Sequence, residues 1–365
     1  MMVVMKMLGS RAHGARLERI RGSQRFRDGV FHNTTPVDLG LKKGTTLSTL
    51  KAYVAGEERR VPTGALPIID PLPLWQRRAE SGLRATWLGH STVLLEIDGA
   101  RVLTDPVWGE RVSPFSFAGP KRFHRAPVPV AKLPPIDVVV ISHDHYDHLD
   151  HPTIIQLIAL GVPFVTSLGV GAHLEAWGVP PERITELEWW ESVDVGGVTI
   201  TAAPAQHFSG RGVADRNTTS WSSMVVRGSR HAVFFSGDTG LTDEYAAIKE
   251  RLGPFDLVML EVGAWHVAWG DIHLGPANAL KAHALLGGGA FLPVHWGTFN
   301  LALHAWDEPP ETLVRLAPTS SPLLMPRLGQ PVEPTHGARV DPWWREVEQT
   351  STRSAPLNAV NAPID

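Results

Sequence analysis

The feature that most restricts the fold of this sequence is a histidine-rich segment that directly follows an apolar strand pattern. The segment IDVVVISHDHYDHLD covers residues 136–150 and contains the spacing H-x-H-x-D-H, formed by His143, His145, Asp147 and His148. Before it, the β-branched run Val138–Ile141 predicts a buried strand. Sheets of α/β proteins place their binding sites at the carboxyl ends of strands. We therefore expect four imidazole and carboxylate groups to lie together at one end of a sheet.

Three other apolar strand patterns are each followed by one residue that can bind a metal. These residues are His207 after Val198–Ala202, Asp238 after Ala232–Phe235, and His295 after Ala290–Pro293. One isolated histidine is more often a loop or core residue than a ligand. The repetition at four strand ends favours a site for two metal ions, which need about six protein ligands. We predict that His143, His145 and His207 bind one ion, that Asp147, His148 and His295 bind the other, and that Asp238 bridges them.

The composition limits which metals such a site can hold. The chain has 365 residues and no cysteine, so disulfides, thiolate ligands and a cysteine nucleophile are excluded. Imidazole and carboxylate ligands suit zinc, and iron or manganese are compatible with them as well. We expect two zinc ions per chain.

The alternation of short strands and helices predicts an α+β fold. Further strands are predicted at Ala85–Leu88, Thr92–Ile97, Arg101–Leu103, Phe164–Thr166, Ser223–Val226, Leu257–Leu260 and, near the end, Leu323–Leu328. Helices are predicted at Leu47–Ala55, Thr153–Ala159, Gly171–Trp177, Asp243–Arg251, Pro276–Leu285 and Glu311–Leu316. Antiparallel hairpins mixed with strand–helix–strand crossovers indicate two packed sheets with helices outside, an αββα sandwich.

Charge and hydropathy exclude several classes of partner. The net charge is −3 and no concentrated basic face is visible, so a nucleic-acid partner is not expected. The N-terminal residues lack the pattern of a secretory signal, and no apolar run is long enough to span a bilayer. We expect a cytoplasmic protein that can still contact a membrane surface. Lys121, Arg122 and Arg125 form a basic cluster that is either simply solvated or contacts anionic lipid headgroups.

Several longer segments carry a resemblance to a known family. They are TWLGHSTVLLEIDG, LTDPVWGERVSP, GPKRFHR, LPPIDVVVISHDHYDHLD, PAQHFSGR and HWGTFNLALH. Between about Ala85 and Pro310 the sequence resembles the metallo-β-lactamase superfamily, and within it the branch of N-acylphosphatidylethanolamine-hydrolysing phospholipases D. The resemblance implies the metallo-β-lactamase fold and the same seven metal ligands. It also implies a homodimer.

The resemblance further implies roles for residues near the metals. A functional histidine is expected in the loop after Glu261, where His273 is the better match and His266 competes with it. Asp105 is expected to support the ligand loop without binding metal, and Tyr146 to lie near the substrate. We expect His273 to act as the proton donor. Asp147 is expected to be a ligand that retains some character of a catalytic base.

These implications predict a binuclear zinc hydrolase in which a metal-bridging hydroxide attacks the substrate. The flanking segments favour a phospholipid or another phosphodiester as substrate, and hence phospholipase D chemistry. A lactonase, β-lactamase or other acyl hydrolase is the first alternative, because the same nucleophile can attack carbon. A non-catalytic metal- or ligand-binding module is the second, although all seven ligands are present.

The same comparison of segments predicts three regions along the chain. Residues 1–84 match the family poorly and are expected to form an N-terminal extension that wraps the core. Residues 85–347 are expected to form the hydrolase domain. Residues 348–365 are polar and aperiodic, and we expect a mobile tail there.

Overall fold

The computed structural model describes residues 7–37, 42, 44–56, 58–318, 322–334 and 340–347. Within these residues the strands are, in chain order, β1 (Phe26–Arg27), β2 (Val30–Phe31), β3 (Leu83–Gly89), β4 (Thr92–Ile97), β5 (Ala100–Thr104), β6 (Val138–Ile141), β7 (Phe164–Ser167), β8 (Ile184–Leu187), β9 (Ser192–Val195), β10 (Val198–Ala203), β11 (Ser223–Arg227), β12 (Ala232–Phe235), β13 (Leu257–Glu261), β14 (Ala290–Val294) and β15 (Pro331–Val332). The helices are α1 (Gly14–Arg21), α2 (Thr46–Ala55), α3 (Leu72–Trp75), α4 (His151–Ile158), α5 (Gly171–Ala176), α6 (Glu244–Leu252), α7 (Gly275–Leu285) and α8 (Glu308–Leu316).

The strands form two large mixed sheets and one short hairpin. One sheet has the order β15-β3-β4-β5-β6-β7-β8, and the other has the order β14-β13-β12-β11-β10-β9. In each sheet, antiparallel pairs lie at one end and parallel pairs at the other, from β5 to β8 and from β12 to β14. Four of the five parallel connections contain an α-helix, and the connection from β5 to β6 is a long segment with only a short 3-10 turn at Val130–Lys132.

Alternate residues of the central strands build the core on both faces of the first sheet. Val138 and Val140 of β6 belong to a cluster shared with the second sheet, for example with Phe235 of β12. Val139 and Ile141 of the same strand instead pack against α4 and α5. This is the alternation expected for a strand that is buried on both faces. On the other outer side, Tyr245 of α6 packs against Phe234.

The structure confirms the predicted α+β fold, because two sheets pack face to face with helices on the outer faces. The predicted strands β3 to β7 and β10 to β14 are present, with ends that differ by at most two residues. Five strands were not predicted: the two-residue strands β1, β2 and β15, and the longer strands β8 and β9. In β9 two exposed polar residues alternate with two half-buried valines, and the strand lies at the edge of its sheet.

The predicted strand Leu323–Leu328 is wrong. Only isolated bridges form there, from Leu323 to Phe291 and from Leu328 to Ile68, and the strand that joins the sheet is β15. Pro322 and Pro326 lack the N–H groups that a continuous ladder needs, which is a sufficient reason. The predicted tail, residues 348–365, lies outside the described residues.

Three buried residues just past strand ends have left-handed backbone conformations. His90 follows β3 with φ 53°, Asp105 follows β5 with φ 31°, and His295 follows β14 with φ 63°. Such conformations are costly for residues other than glycine, and they concentrate at functional sites. The carboxyl ends of these strands are therefore where the fold holds side chains against local preference. Among the described residues, no helix is long and apolar enough to cross a membrane.

Candidate metal centre

All seven residues predicted as metal ligands meet at the carboxyl ends of β6, β10, β12 and β14. Their side chains are buried or nearly buried, and they come from four separate loops. His143, His145 and His207 form one group with Asp238, and Asp147, His148 and His295 form a second group with His90. Asp238 lies between the two groups and is close to histidines of both.

The first group surrounds one oxygen of Asp238. Oδ2 of Asp238 lies 3.8 Å from Nε2 of His143 and 3.6 Å from Nε2 of His207. Nδ1 of His145 completes the group, at 2.9 Å from Nε2 of His143 and 3.3 Å from Nε2 of His207. Three imidazole nitrogens and one carboxylate oxygen thus point into one small volume.

The second group surrounds the other oxygen of Asp238. Oδ1 lies 3.1 Å from Nε2 of His148 and 3.2 Å from Nε2 of His295. Oδ2 of Asp147 lies 3.3 Å from Nε2 of His295 and 3.5 Å from Nε2 of His148. The two oxygens of Asp238 therefore divide the histidines into the same two sets that the sequence predicted.

The chemistry of these groups fits a pair of divalent cations. Nε2 of His148, Oδ1 of Asp238 and both ring nitrogens of His295 are buried and have no hydrogen-bond partner among the described residues. Unpaired buried polar atoms are costly, and a bound cation satisfies such atoms. Nitrogen and carboxylate oxygen are also the ligands that zinc accepts.

The pKa values of the residues in the cluster also indicate a site for positive charge. Burial raises the pKa of Asp238, but His148 and His295 outweigh it and hold that pKa well below its usual range. Burial lowers the pKa of His295, but Asp238 and Asp147 outweigh it and raise that pKa to about 10. In the described part of the chain, the ion-pair partners of Asp147, Asp238 and Glu261 are all histidines. The carboxylates thus favour positive charge at this place, which a cation supplies.

Asp105 lies behind the ligands and holds two of them in orientation. Its Oδ2 accepts hydrogen bonds from Nδ1 of His148 (2.6 Å) and from the hydroxyl of Ser142 (2.6 Å). The Ser142 hydroxyl lies 2.9 Å from Nδ1 of His143. Because Nδ1 of each ring is held by a hydrogen bond, Nε2 is the atom left to bind a metal. This arrangement is common around bound metals. His90 has a related position, with Nε2 3.0 Å from Oδ2 of Asp147.

His273, and not His266, lies beside the candidate ligands. Nδ1 of His273 is 2.8 Å from Oε2 of Glu261 and 4.0 Å from Oδ2 of Asp238. Burial lowers the pKa of His273, but Glu261 outweighs it and raises that pKa. Nδ1 of His266 accepts the backbone N–H of Ala268, within its own loop.

The side chain of Tyr146 contacts Arg211 and a small apolar cluster. Its hydroxyl donates to the backbone carbonyl of Arg211 at 2.7 Å, and the guanidinium of Arg211 stacks 4.0 Å from its ring. The ring also packs against the small cluster of Val107, Val112 and Phe299. Its predicted proximity to the substrate stays a prediction.

An open cleft of about 380 Å³ gives access to the two groups of candidate metal ligands. Half of its lining is polar and consists of His145, Asp147, Asp238, His273 and His295. The other half is apolar and consists of Phe208, Ala264, Trp269, Ile272 and Leu301.

Two residues of the site escaped the analysis of the sequence. Glu261 is fully buried and accepts the backbone N–H groups of Thr239 (2.9 Å) and Leu274 (3.1 Å) as well as Nδ1 of His273. Its position as the last residue of β13 was the signal that could have revealed it. Asn33 binds the backbone of His207 from the N-terminal region. No local pattern marks Asn33.

The fold and this site define a metal-dependent hydrolase. The chain belongs to the metallo-β-lactamase superfamily, since the family model described as "Beta-lactamase superfamily domain" matches residues 100–296. An uncharacterized protein of Mycobacterium tuberculosis is 46% identical over 329 residues, which cover 88% of each chain.

Two further similarities concern proteins whose names describe an activity. N-acyl-phosphatidylethanolamine-hydrolyzing phospholipase D 1 of Caenorhabditis elegans is 41% identical over 235 residues, covering 61% of this chain and 66% of that protein. The structure of Igni18, a metallo hydrolase of Ignicoccus hospitalis, matches with a TM-score of 0.52 and 23% identity, covering 68% of this chain and 97% of that one. The structural match shows the shared fold alone.

Proposed function

We propose that this protein is a binuclear zinc-dependent phosphodiesterase of the phospholipase D type. Its substrates are glycerophospholipids that resemble N-acylphosphatidylethanolamine, and its products are phosphatidate and the N-acylated amino alcohol. The observation that carries the proposal is the division of the ligands by Asp238, whose two oxygens each face a separate histidine group beside an open cleft.

Each group offers a plausible first coordination sphere for one zinc ion. His143, His145 and His207 would hold one ion, Asp147, His148 and His295 the other, and Asp238 both. When bound, the pair would supply Lewis-acid charge for a phosphoryl group and a water molecule of lowered pKa as nucleophile.

His273 is the residue that we assign to the leaving group. Hydrolysis adds water to phosphorus and breaks the bond between phosphorus and the alcohol oxygen, which must then take up a proton. Nδ1 of His273 is hydrogen-bonded to Glu261, so Nε2 is the ring atom left to deliver that proton. Glu261 positions the ring and does not touch substrate.

The substrate class is supported by the cleft and by one relative. The five apolar residues of the cleft lining suit an acyl chain, and the polar lining residues suit a phosphate beside the cations. The 41% identity to the C. elegans phospholipase D favours attack at phosphorus over attack at carbon.

The proposal is tested on purified protein loaded with zinc. Metal analysis is expected to give two zinc ions per chain, and N-acylphosphatidylethanolamine in mixed micelles is expected to be hydrolysed faster than a lactone or a β-lactam. Asp238→Asn, which keeps the size of the side chain, serves as the inactive control. Hydrolysis of the lactone alone would replace the proposal by the acyl-hydrolase alternative, and metal binding without any hydrolysis would favour a binding module.

A further inference from the structure

Arg211 is a buried arginine whose guanidinium donates four hydrogen bonds to main-chain carbonyl oxygens. The residue is 4% exposed. Nη1 donates to the carbonyl of Asp144 at 2.6 Å and to that of Leu149 at 2.9 Å. Nε and Nη2 both donate to the carbonyl of Met7, at 3.0 Å and 2.8 Å. Burying a cation is costly, so a guanidinium that is buried in order to hold carbonyls indicates that their position matters.

The carbonyls of Asp144 and Leu149 enclose the segment that carries most of the candidate metal ligands. The ligands between these two residues are His145, Asp147 and His148. Because one nitrogen of the guanidinium binds both carbonyls, the two ends of the segment are held close to each other. Buried carbonyls need a donor, and here the donor is a side chain from another part of the chain.

The middle of the same segment also contacts Arg211. The hydroxyl of Tyr146 donates to the main-chain carbonyl of Arg211 at 2.7 Å, and the ring centroid of Tyr146 lies 4.0 Å from the guanidinium carbon. Within residues 144–149, Asp144, Tyr146 and Leu149 are the three that are not candidate ligands. Each of these three residues therefore contacts Arg211, and the residues between them are free to turn toward the metals.

Arg211 belongs to a second ligand segment, the one that follows β10. His207 stands four positions before Arg211 in the sequence. The backbone N–H of Gly210 donates to Oδ1 of Asp144 at 2.8 Å, so this segment binds Asp144 through its main chain as well as through the guanidinium. Nε2 of His207 lies 3.3 Å from Nδ1 of His145, one ligand from each segment. The contacts of Arg211 thus join the two segments that supply the histidines of the first group.

The shape of the guanidinium explains why an arginine is suited to this position. Its donors are fixed in one plane, whereas a lysine offers three rotating donors on a single nitrogen. One lysine nitrogen cannot take the places of Nε, Nη1 and Nη2 at once. A lysine at position 211 would therefore leave at least one of the three buried carbonyls without a donor.

We propose that Arg211 is a positioning residue that holds both ligand segments in the geometry that the metal ions require. It acts through the main chain of residues 144–149 and through its own segment on His207. This inference rests on the zinc site of the proposed function and not on the substrate. It therefore applies equally to a phosphodiesterase and to an acyl hydrolase.

The test compares the full-length variant R211K with the wild type in zinc titrations of the metal-free proteins against a competing chelator. We expect R211K to bind zinc about 10- to 100-fold more weakly, as is typical when a residue that orients metal ligands is changed. The visible absorption spectrum of the cobalt-substituted protein is expected to change too, because it reports the coordination geometry. A purely structural role would lower the melting temperature of the metal-free protein and leave the affinity and the spectrum unchanged.

R84K is the matched control for the loss of a buried guanidinium. Arg84 is also 4% exposed, and it donates to Oε2 of Glu96 at 2.5 Å and to the carbonyl of Arg77 at 2.7 Å. It stands near the start of β3, whose other end leads to His90. We expect R84K to lower the melting temperature without changing the zinc affinity or the cobalt spectrum.

Y146F is a milder variant that tests the same contact if R211K does not fold. It keeps the ring beside the guanidinium and removes the hydrogen bond to the carbonyl of Arg211. Because one hydrogen bond is lost, we expect zinc binding to weaken about three- to tenfold. The melting temperature of metal-free Y146F shows whether stability changes separately.

Three outcomes would overturn the positioning role of Arg211. They are wild-type zinc affinity in whichever of R211K and Y146F folds, an equal loss of affinity in R211K and R84K, and a wild-type protein that binds no zinc. The last outcome would also remove the zinc site itself. A wild-type protein that binds two zinc ions but hydrolyses no phospholipid would refute the proposed function and leave the role of Arg211 standing.

Discussion

The side-chain amide of Asn33 forms two hydrogen bonds with the backbone of His207. Nδ2 donates to the carbonyl oxygen at 2.8 Å, and Oδ1 accepts the N–H at 3.1 Å. Oδ1 also accepts the indole N–H of Trp221 at 3.1 Å. The imidazole of His207 is fixed separately, since Nδ1 donates to the carbonyl of Ile272 at 2.8 Å. A residue of the N-terminal region thus determines where the backbone of a candidate ligand lies.

Replacing Asn33 by alanine is expected to weaken zinc binding about tenfold, because the loop that carries His207 loses both hydrogen bonds. Zinc titration of the metal-free protein with a competing chelator measures this affinity. Asn278→Ala is the matched control, since the half-buried Asn278 of α7 accepts a hydrogen bond from Nζ of Lys281 in the same helix. An unchanged affinity for both zinc ions in the Asn33 variant would contradict a positioning role.

Replacing His273 by alanine is expected to lower turnover by about 10²- to 10⁴-fold while leaving two zinc ions bound, because the side chain delivers a proton and is not one of the seven ligands. Kinetics on a diester, together with metal analysis of the same sample, measures both effects. Glu261→Gln is expected to reduce turnover less, since it only loosens the orientation of the ring. Loss of zinc from the His273 variant would refute the assigned role.

Replacing Asp105 by asparagine is expected to weaken zinc binding by about 10- to 100-fold. The amide cannot accept with both atoms, so Nδ1 of His148 and the Ser142 groups lose part of their support. Zinc affinity is measured as for Asn33, and the melting temperature of the metal-free variant shows whether folding is affected separately. If the variant bound zinc with the affinity of the wild type, the hydrogen bonds of Asp105 would not be needed to orient the zinc ligands.

Removal of zinc by a chelator is expected to destabilise the protein. The folded chain buries carboxylates and imidazoles whose charges the ions balance, and the unfolded chain binds the ions weakly. Zinc at about 100 times its dissociation constant contributes about 2.7 kcal/mol of stability. Calorimetry before and after chelation should show a lower melting temperature that added zinc restores. Asp238→Asn should respond much less, and an equal response would contradict zinc binding at Asp238.

Asp98 links the two sheets and is expected to make stability depend on acid pH. It accepts the backbone N–H groups of Arg230 (2.7 Å) and His231 (2.9 Å) and lies 2.7 Å from Nδ1 of His231. Burial raises the pKa of Asp98, but these hydrogen bonds outweigh it and lower that pKa below its usual value. The stabilisation is therefore complete above the unfolded-state pKa of about 3.9 and disappears as the pH falls through the lower folded-state pKa.

Asp98→Asn is expected to reduce the free energy of unfolding by about 2 kcal/mol at pH 7. The difference from the wild type should shrink below about pH 4, since the carboxylate of Asp98 in the unfolded chain then takes up a proton, which favours unfolding. Urea unfolding of both proteins at several pH values measures the difference. A difference that stays constant down to pH 3 would show that the charge of Asp98 is not involved.

Local patterns predicted most of the fold because the central strands are short apolar runs with clear ends. β6, β12 and β14 were found in this way, and each is followed by a metal-binding residue type. The same reasoning failed for β9, whose residues are partly exposed, and for Leu323–Leu328, where prolines interrupt an apolar run. Burial set by distant parts of the chain decides such cases.

The sequence by itself determined which residues are able to bind metal and at which strand ends they stand. That information is local, because residue type and strand pattern are properties of a few neighbouring positions. Only the tertiary structure decided that Asp238 turns one oxygen to each histidine group, that Glu261 and not solvent holds His273, and that Asn33 reaches His207. These relationships depend on how two sheets and an N-terminal segment pack, and packing brings together residues whose separation along the chain carries no signal.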